Sequence, residues 1–237
     1  MPVNRYYLDS PLLENTEVVL TDDEFHHLKN VLRKQSGDQI ELVDGKGTLA
    51  TAVVKEVRKR EATLLITEAA QEKPSPLFIQ LYQAFPRQSK LDWILEKGTE
   101  LGVSEFVLFP SERSEKRALS KEQSRRAKLL TVSAIKQAGR LFLPTITLLD
   151  QFPQECKNIY YGDVSGDARS FPELLSEQKA KTIACLIGPE SGLSEKEMTH
   201  LQDGGAIPMK LSDGILRTET AAVAAATFMS ALRTRSL

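Results

Sequence analysis

Apolar and polar positions change their rhythm once along this chain, near residue 77. Before it, apolar residues alternate over short stretches, from Ile40 to Val43, Thr48 to Val57 and Ala62 to Ile66, the period of half-buried strands. Asp44-Gly45-Lys46-Gly47 supplies a hairpin turn between the first two. Thr21-Asp22-Asp23-Glu24 has the form of a capping box and predicts a helix to about Arg33, with Phe25, Leu28 and Leu32 on one face. Gly37-Asp38 then turns the chain. Residues 68–76 carry two prolines and few apolar positions and read as a linker.

From Leu77 onward, apolar runs alternate with helical periods. Strands are predicted at 78–84, 106–109, 158–161, 182–187 and 206–211. Helices are predicted at 90–101, closed by Gly102, then from Ser120 to about Ala138, at 172–176, from Ser194 to His200 and at 218–232. Ser120-Lys121-Glu122-Gln123 and Ser194-Glu195-Lys196-Glu197 are two further capping boxes. The pattern implies a small β-barrel-like domain followed by an α/β domain with a mainly parallel sheet.

Composition adds boundaries. With 237 residues, 41% apolar and 27% charged, the chain is long enough for two domains and reads as globular. Its longest apolar stretches, such as Thr182 to Ile187, are strand-sized and cannot span a membrane. Met1-Pro2-Val3-Asn4-Arg5 lacks the apolar core of a signal peptide, so a cytoplasmic protein is expected. Cys156 and Cys185 match no metal or redox spacing, and His26, His27 and His200 form no zinc motif, so no metal is expected. Net charge is only −1, yet nine lysines and arginines face two glutamates between Arg113 and Arg140. That block is either a phosphate-contacting face or a solvated, ion-paired helix surface.

Candidate chemistry lies where strands run into small-residue loops that open helices. One such loop is Ile187-Gly188-Pro189-Glu190-Ser191-Gly192-Leu193-Ser194. The other runs from Lys210-Leu211-Ser212-Asp213-Gly214 through Ile215-Leu216-Arg217-Thr218-Glu219-Thr220-Ala221. Glycine lets a backbone approach a ligand closely. Neither loop has the pattern of a triphosphate or dinucleotide site.

Gly188-Pro189-Glu190-x-Gly192 together with Ile215-Leu216-Arg217-Thr218-Glu219-Thr220-Ala221 resembles the RsmE family of RNA methyltransferases, of the SPOUT superfamily. Further matches at His27 to Arg33, Gly37-Asp38, Glu96 to Gly102 and Gln137 to Arg140 extend the resemblance over nearly the whole chain. It implies a PUA-like RNA-binding β-barrel domain over residues 1–72 and a SPOUT methyltransferase domain with a C-terminal trefoil knot over residues 77–237, acting as a homodimer. It implies S-adenosyl-L-methionine as cofactor and N3 of a uridine in 16S rRNA, within the small ribosomal subunit, as methyl acceptor. By position, the cofactor pocket would involve Leu186, Ile187, Gly188, Glu190, Gly192, Lys210, Leu211, Ile215, Leu216 and Thr220.

Transfer to N3 requires the uracil anion, which a nearby cation favours. Arg217 is the first candidate, and Glu190 or Glu219 would accept the proton or orient Arg217; the alternative for Arg217 is a structural pairing in the loop. Phosphate contacts are expected from Arg113, Arg125, Arg126, Lys136 and Arg140, the last two four apart on one helix face, with Arg5 and Arg33 from the first domain. The chain departs from the family at Ser191 and Ser212, where glycine is usual, and at Gly214, where arginine is usual. Those departures are what favours a rival reading, a non-catalytic RNA-binding or ribosome-assembly factor with a degenerate cofactor pocket.

Overall fold

The structure is a computed structural model that describes residues 5–163 and 168–233. Residues 1–4, part of the stretch read for a signal peptide, lie outside the described residues. Two compact units emerge: Met1–Pro74 with Val132–Leu143, and Ser75–Thr131 with Pro144–Leu237.

The first unit is a five-stranded sheet in the order β1-β3-β4-β5-β2, from β1 (Arg5–Tyr7), β2 (Glu17–Leu20), β3 (Gln39–Val43), β4 (Thr48–Val57) and β5 (Ala62–Gln71). Only the β1–β3 pair is parallel. Alternation does what the sequence expects: Leu42, Ala50, Ala52, Val54, Leu64 and Ile66 point into one core with Tyr6, Leu20 and Leu28. The segment read as a linker begins later than expected. Residues 68–71 continue β5, because β4 is long enough to pair them from Thr48 to Thr51, and Gln71 bonds Thr48 at 2.7 Å. Val132–Leu143 groups with this unit through a buried cluster of Val43, Ile135 and Leu141.

The capping box at Thr21 does not form. Asp22 has φ +51°, and the Thr21 hydroxyl donates to the Asp22 carboxylate instead of accepting a helix N–H. Helix α1 (Asp22–His26) runs directly into a π-helical turn, His27–Val31, so helical backbone ends close to the expected Arg33.

The second unit is a six-stranded, wholly parallel sheet, β11-β9-β10-β6-β7-β8. Its strands are β6 (Phe78–Ala84), β7 (Glu105–Phe109), β8 (Thr145–Leu148), β9 (Ile159–Gly162), β10 (Thr182–Ile187) and β11 (Ile207–Met209). Around them stand α2 (Gln88–Leu101), α4 (Phe171–Ser176), α5 (Glu195–Asp203) and α6 (Thr218–Ala231), with α3 (Lys121–Ala138) as far as Thr131. Strand β10 is buried from its second residue onward, as the strand of a sheet covered on both faces should be. Its Ile183, Cys185 and Ile187 join the core beneath α2, α4 and α6, while Ala184 and Leu186 join Leu201 of α5 on the opposite face. Ala222, Ala225 and Ala226 of α6 are buried within the chain. Both cysteines are buried and free, and burial pushes both thiols up from their ordinary pKa. Among the described residues no helix is long and apolar enough to cross a membrane.

Caps close the helices much as their sequences specify. Ser194 and Glu197 form a reciprocal capping box, Ser120 and Gln123 form another, and Gly102 ends α2 at φ +85°. Because every strand is parallel, all the carboxyl ends emerge along one edge, where the following loops gather.

Candidate functional site

Three of those loops are tied by a buried amide that sequence reasoning missed. Gln83, fully buried near the end of β6, donates from Nε2 to Ala84 O at 2.9 Å, Thr218 Oγ1 at 3.1 Å and Gly188 O at 3.3 Å. Thr218 in turn donates its hydroxyl to Gly188 O at 2.7 Å. The end of β6, the loop after β10 and the start of α6 thus share one hydrogen-bonded knot of groups. Gln83 Oε1 is buried and has no partner among the described residues. A buried acceptor of this kind calls for a donor from something bound.

The loop at 188–194 is braced from outside. Glu190 Oε1 accepts the Arg87 backbone N–H at 3.0 Å, and Arg113 Nη1 donates to Leu193 O at 3.0 Å and Ser191 O at 3.3 Å. Glu190 and Arg113 remain exposed. Gly192 holds φ +71°, where a side chain is strained, whereas Ser191 and Ser212 avoid the left-handed region and Gly214 has open space around its Cα. Serine at those two positions therefore costs no backbone strain.

Of the expected pocket residues, Leu186 and Ile187 have side chains in the two cores and reach the edge only by backbone. Gly188 and Gly192 lie in the first loop, Leu211, Ile215 and Leu216 in the second. Ile215 is 85% exposed, a large apolar side chain facing solvent. Lys210 pairs with Asp213 at 2.9 Å, which holds the Asp213 carboxyl below its usual range. Thr220 is exposed in the first turn of α6.

The three charged candidates differ in what holds them. Glu219 pairs with Lys90 of α2. Burial alone would raise its pKa, but the hydrogen bond from Lys90, its own backbone N–H and the charges of Lys90 and Arg217 outweigh burial and hold it below the ordinary value. A carboxylate so held is a poor base, and its place is that of a brace between α2 and α6. Arg217, the residue preceding α6, is exposed, and its guanidinium makes no hydrogen bond with the described residues.

The expected RNA contacts also divide. Arg125 and Arg126 keep 64% and 59% side-chain exposure despite contacts with Glu122 at 3.4 Å and Asp92 at 2.8 Å. Arg33 is exposed. Arg5 is differently placed: its side chain is 8% exposed and pairs with Glu41 at 2.8 Å, while its Nη1 is buried without a hydrogen bond among the described residues. Lys136 is largely buried against Glu24. Nor does it share a helix face with Arg140, because α3 stops at Ala138 and Gly139 turns at φ +76°. Arg140 is partly buried, which pulls its guanidinium below the ordinary pKa. Among the described residues no group of three or more His, Cys, Asp or Glu side chains is placed to hold a metal ion.

Comparison with known proteins identifies the family. A family model described as an RNA methyltransferase domain matches residues 73–230, and one described as an RNA methyltransferase PUA domain matches residues 20–67. The chain is 29% identical to ribosomal RNA small subunit methyltransferase E of Bacillus subtilis, covering 92% of this chain and 93% of that protein. It is 30% identical to the Aquifex aeolicus protein of the same name, over 87% and 90%. The crystal structure of ribosomal RNA small subunit methyltransferase E from Neisseria gonorrhoeae, bound to S-adenosyl methionine, superposes with a TM-score of 0.83 at 30% identity, covering 98% of each chain.

Proposed function

Since this chain belongs to the RsmE family of RNA methyltransferases, we propose that it is an S-adenosyl-L-methionine-dependent enzyme that methylates 16S rRNA. The finer reading is transfer to N3 of uracil 1498 in the small ribosomal subunit. With it go a PUA-like RNA-holding domain over residues 1–72, a knotted methyltransferase domain over residues 77–237, and action as a homodimer in the cytoplasm. The observation that carries the reading is the Gln83–Thr218–Gly188 tie, which gathers small-residue loops at the sheet edge beside an uncommitted Arg217.

The residues present fit the cofactor. S-adenosylmethionine offers amine and ammonium donors, and Gln83 Oε1 is a buried acceptor in need of one. Gly188 keeps the chain thin, since a Cβ there would meet Leu193 Cγ at 3.2 Å. Gly188, Glu190 and Gly192 from one loop, Lys210, Leu211, Ile215 and Leu216 from the other, and Thr220 would hold it, with the backbone of Leu186 and Ile187 behind. Bound there, the cofactor supplies an electrophilic methyl group.

What the chain adds is alignment and charge. The braced loops fix the direction from which a base approaches, which removes orientational entropy from the barrier. Arg217 favours the N3 anion of uracil electrostatically. Glu190 Oε2, which has no hydrogen bond among the described residues, takes the N3 proton, while Oε1 stays on Arg87 N. Arg33, Arg125 and Arg126 hold phosphates, and turning the base out of its stack exposes N3. The serines at 191 and 212 avoid the left-handed region, so backbone strain there lends no support to the non-catalytic alternative.

The test supplies purified protein and methyl-labelled cofactor to unmodified small ribosomal subunits and, separately, to naked 16S rRNA. Nuclease digestion and mass spectrometry then locate the label. A single 3-methyluridine is expected; no transfer to either RNA refutes the proposal.

A further inference from the structure

Away from the loops already described, a second hollow of about 360 Å³ opens at the carboxyl ends of β7 and β8, against α5. That volume is within the range of small-ligand sites. Its floor is Glu197, 5% exposed, whose carboxylate accepts from Glu112 N at 2.8 Å, Ser194 N at 2.8 Å and Ser111 Oγ at 3.0 Å. Three donors satisfy that carboxylate, so it serves as a rigid support.

The groups left over have a different chemistry. Phe152 is half-buried, its ring oriented edge-to-face by Phe109 at 5.3 Å and by His200 at 5.8 Å. His200 is fixed in turn by Nε2 against Pro153 O at 3.0 Å; a carbonyl only accepts, so that nitrogen carries a proton. Gln154 donates from Nε2 to Phe152 O at 2.7 Å, which leaves its carbonyl oxygen as an acceptor. Arg117 is exposed and makes no bond with the described residues. Lys196 is 86% exposed, with Glu112 no nearer than 3.8 Å.

An oriented aromatic ring, an amide acceptor and two extended cations match the parts of a nucleotide: a stacking face, a base edge and a phosphate. An acidic peptide could pair with the two cations but would leave the ring of Phe152 and the amide of Gln154 unused. The location agrees. Arg117 continues the basic block that starts at Arg113, and Arg113 itself grips the 188–194 loop. Glu197 holds Ser194, the last residue of that loop, so the hollow and the candidate methyl-transfer site share a wall.

We propose that this hollow is a subsite for one nucleotide of the RNA strand beside the target uridine, with its base on Phe152 and its phosphate on Arg117 and Lys196. The inference rests on the methyltransferase reading. A nucleotide seated there would fix the register of the strand, so that the target base enters the site and its neighbour does not.

The experiment uses the full chain, wild type and Arg117→Ala/Lys196→Ala. Binding to unmodified 16S rRNA is measured across a salt titration, and S-adenosylmethionine binding by calorimetry. The double variant should bind rRNA about tenfold more weakly, two exposed ion pairs' worth. Its slope of log K against log salt should fall by about 0.7, for the one phosphate that both cations hold, with cofactor affinity unchanged. Photocross-linking to 4-thiouridine-substituted 16S rRNA should mark a peptide containing Phe152. A variant that matches wild type in rRNA affinity and slope, or cross-links that avoid residues 150–154, overturns the subsite. Wild-type protein that binds neither cofactor nor rRNA defeats the methyltransferase reading itself, a distinct outcome.

Discussion

Replacing Lys90 by methionine should destabilise the protein, and replacing its partner as well should restore most of the loss. Lys90 Nζ bonds Glu219 between α2 and α6, with side-chain exposures of 27% and 14%, and Glu219 Oε2 is buried without a hydrogen bond among the described residues. Breaking a fully buried pair by removing one partner costs about 3–5 kcal/mol. With a quarter of the lysine in contact with water, about 2–3 kcal/mol is the appropriate scale. For a chain of this size that lowers Tm by roughly 5–10 °C. Lys90→Met/Glu219→Leu removes the stranded carboxylate and should recover most of the difference, because an apolar pair of similar volume carries no desolvation penalty. The dependence on pH has a definite sign. Wild-type Glu219 is held below its ordinary pKa, so its contribution is complete above the unfolded value of about 4.3 and fades as pH falls through the folded one. In Lys90→Met burial acts without the lysine opposing it and the folded pKa rises above the unfolded one. The penalty is then full above that raised value and disappears below the unfolded value. Thermal melts at pH 7.5 and at about pH 4 should show the gap between variant and wild type narrowing at the lower pH. Lys90→Met melting within about 1 °C of wild type at pH 7.5, or the double variant melting no higher than the single, would refute the assignment of Glu219 as a brace.

Three more perturbations separate the roles of neighbouring residues. Arg217→Ala should lower kcat by about 10²–10³ while calorimetry finds cofactor affinity within about twofold of wild type; loss of cofactor binding instead would make Arg217 a pocket residue. Arg125→Ala/Arg126→Ala should weaken rRNA binding most at low salt and reduce the salt slope by about 1.4–1.8, whereas a superimposable titration would leave those arginines ornamental to binding. Gly192→Ala should cost about 1–2 kcal/mol in urea melts because its φ is +71°, while Ser191→Gly should change stability by no more than about 0.5 kcal/mol; equal effects would contradict the backbone assignment.

Legibility followed the range of the interaction. Strand β10 was readable because six consecutive residues, Thr182 to Ile187, report burial on both faces. The boxes at Ser120 and Ser194 were readable because donor and acceptor stand three residues apart. The box at Thr21 has the same letters and fails, because the positive φ at Asp22 turns the hydroxyl elsewhere, and backbone geometry of that kind leaves no mark in residue type. Strand β8, Thr145–Leu148, escaped notice as a partly exposed edge strand whose apolar positions are few. The extension of β5 over residues 68–71 is polar in sequence and exists because β4 offers it a partner.

The site loops were visible in the same way, as glycine-rich turns between a strand and a capped helix, but the assignment of charges within them was not. Gln83 meets Thr218 across 135 positions and Lys90 meets Glu219 across 129, so no local pattern announces either contact. A strand reading Phe-Ile-Gln-Leu-Tyr-Gln-Ala contains two glutamines, and only the fold distinguishes Gln80, spent on Glu105 at the sheet surface, from Gln83 at the hub. Once those partners are known, one criterion orders the candidates: a charge buried against an opposite charge holds the scaffold, and a charge left to solvent is available to a ligand. It places Glu219 and Arg5 in the scaffold by their pairs with Lys90 and Glu41, leaves Arg217 to the base, and divides Glu190 between the two, with one oxygen on Arg87 N and the other free for a proton. Mutations should divide along the same line, with Glu219 and Arg5 changing Tm before activity and Arg217 changing activity at constant Tm.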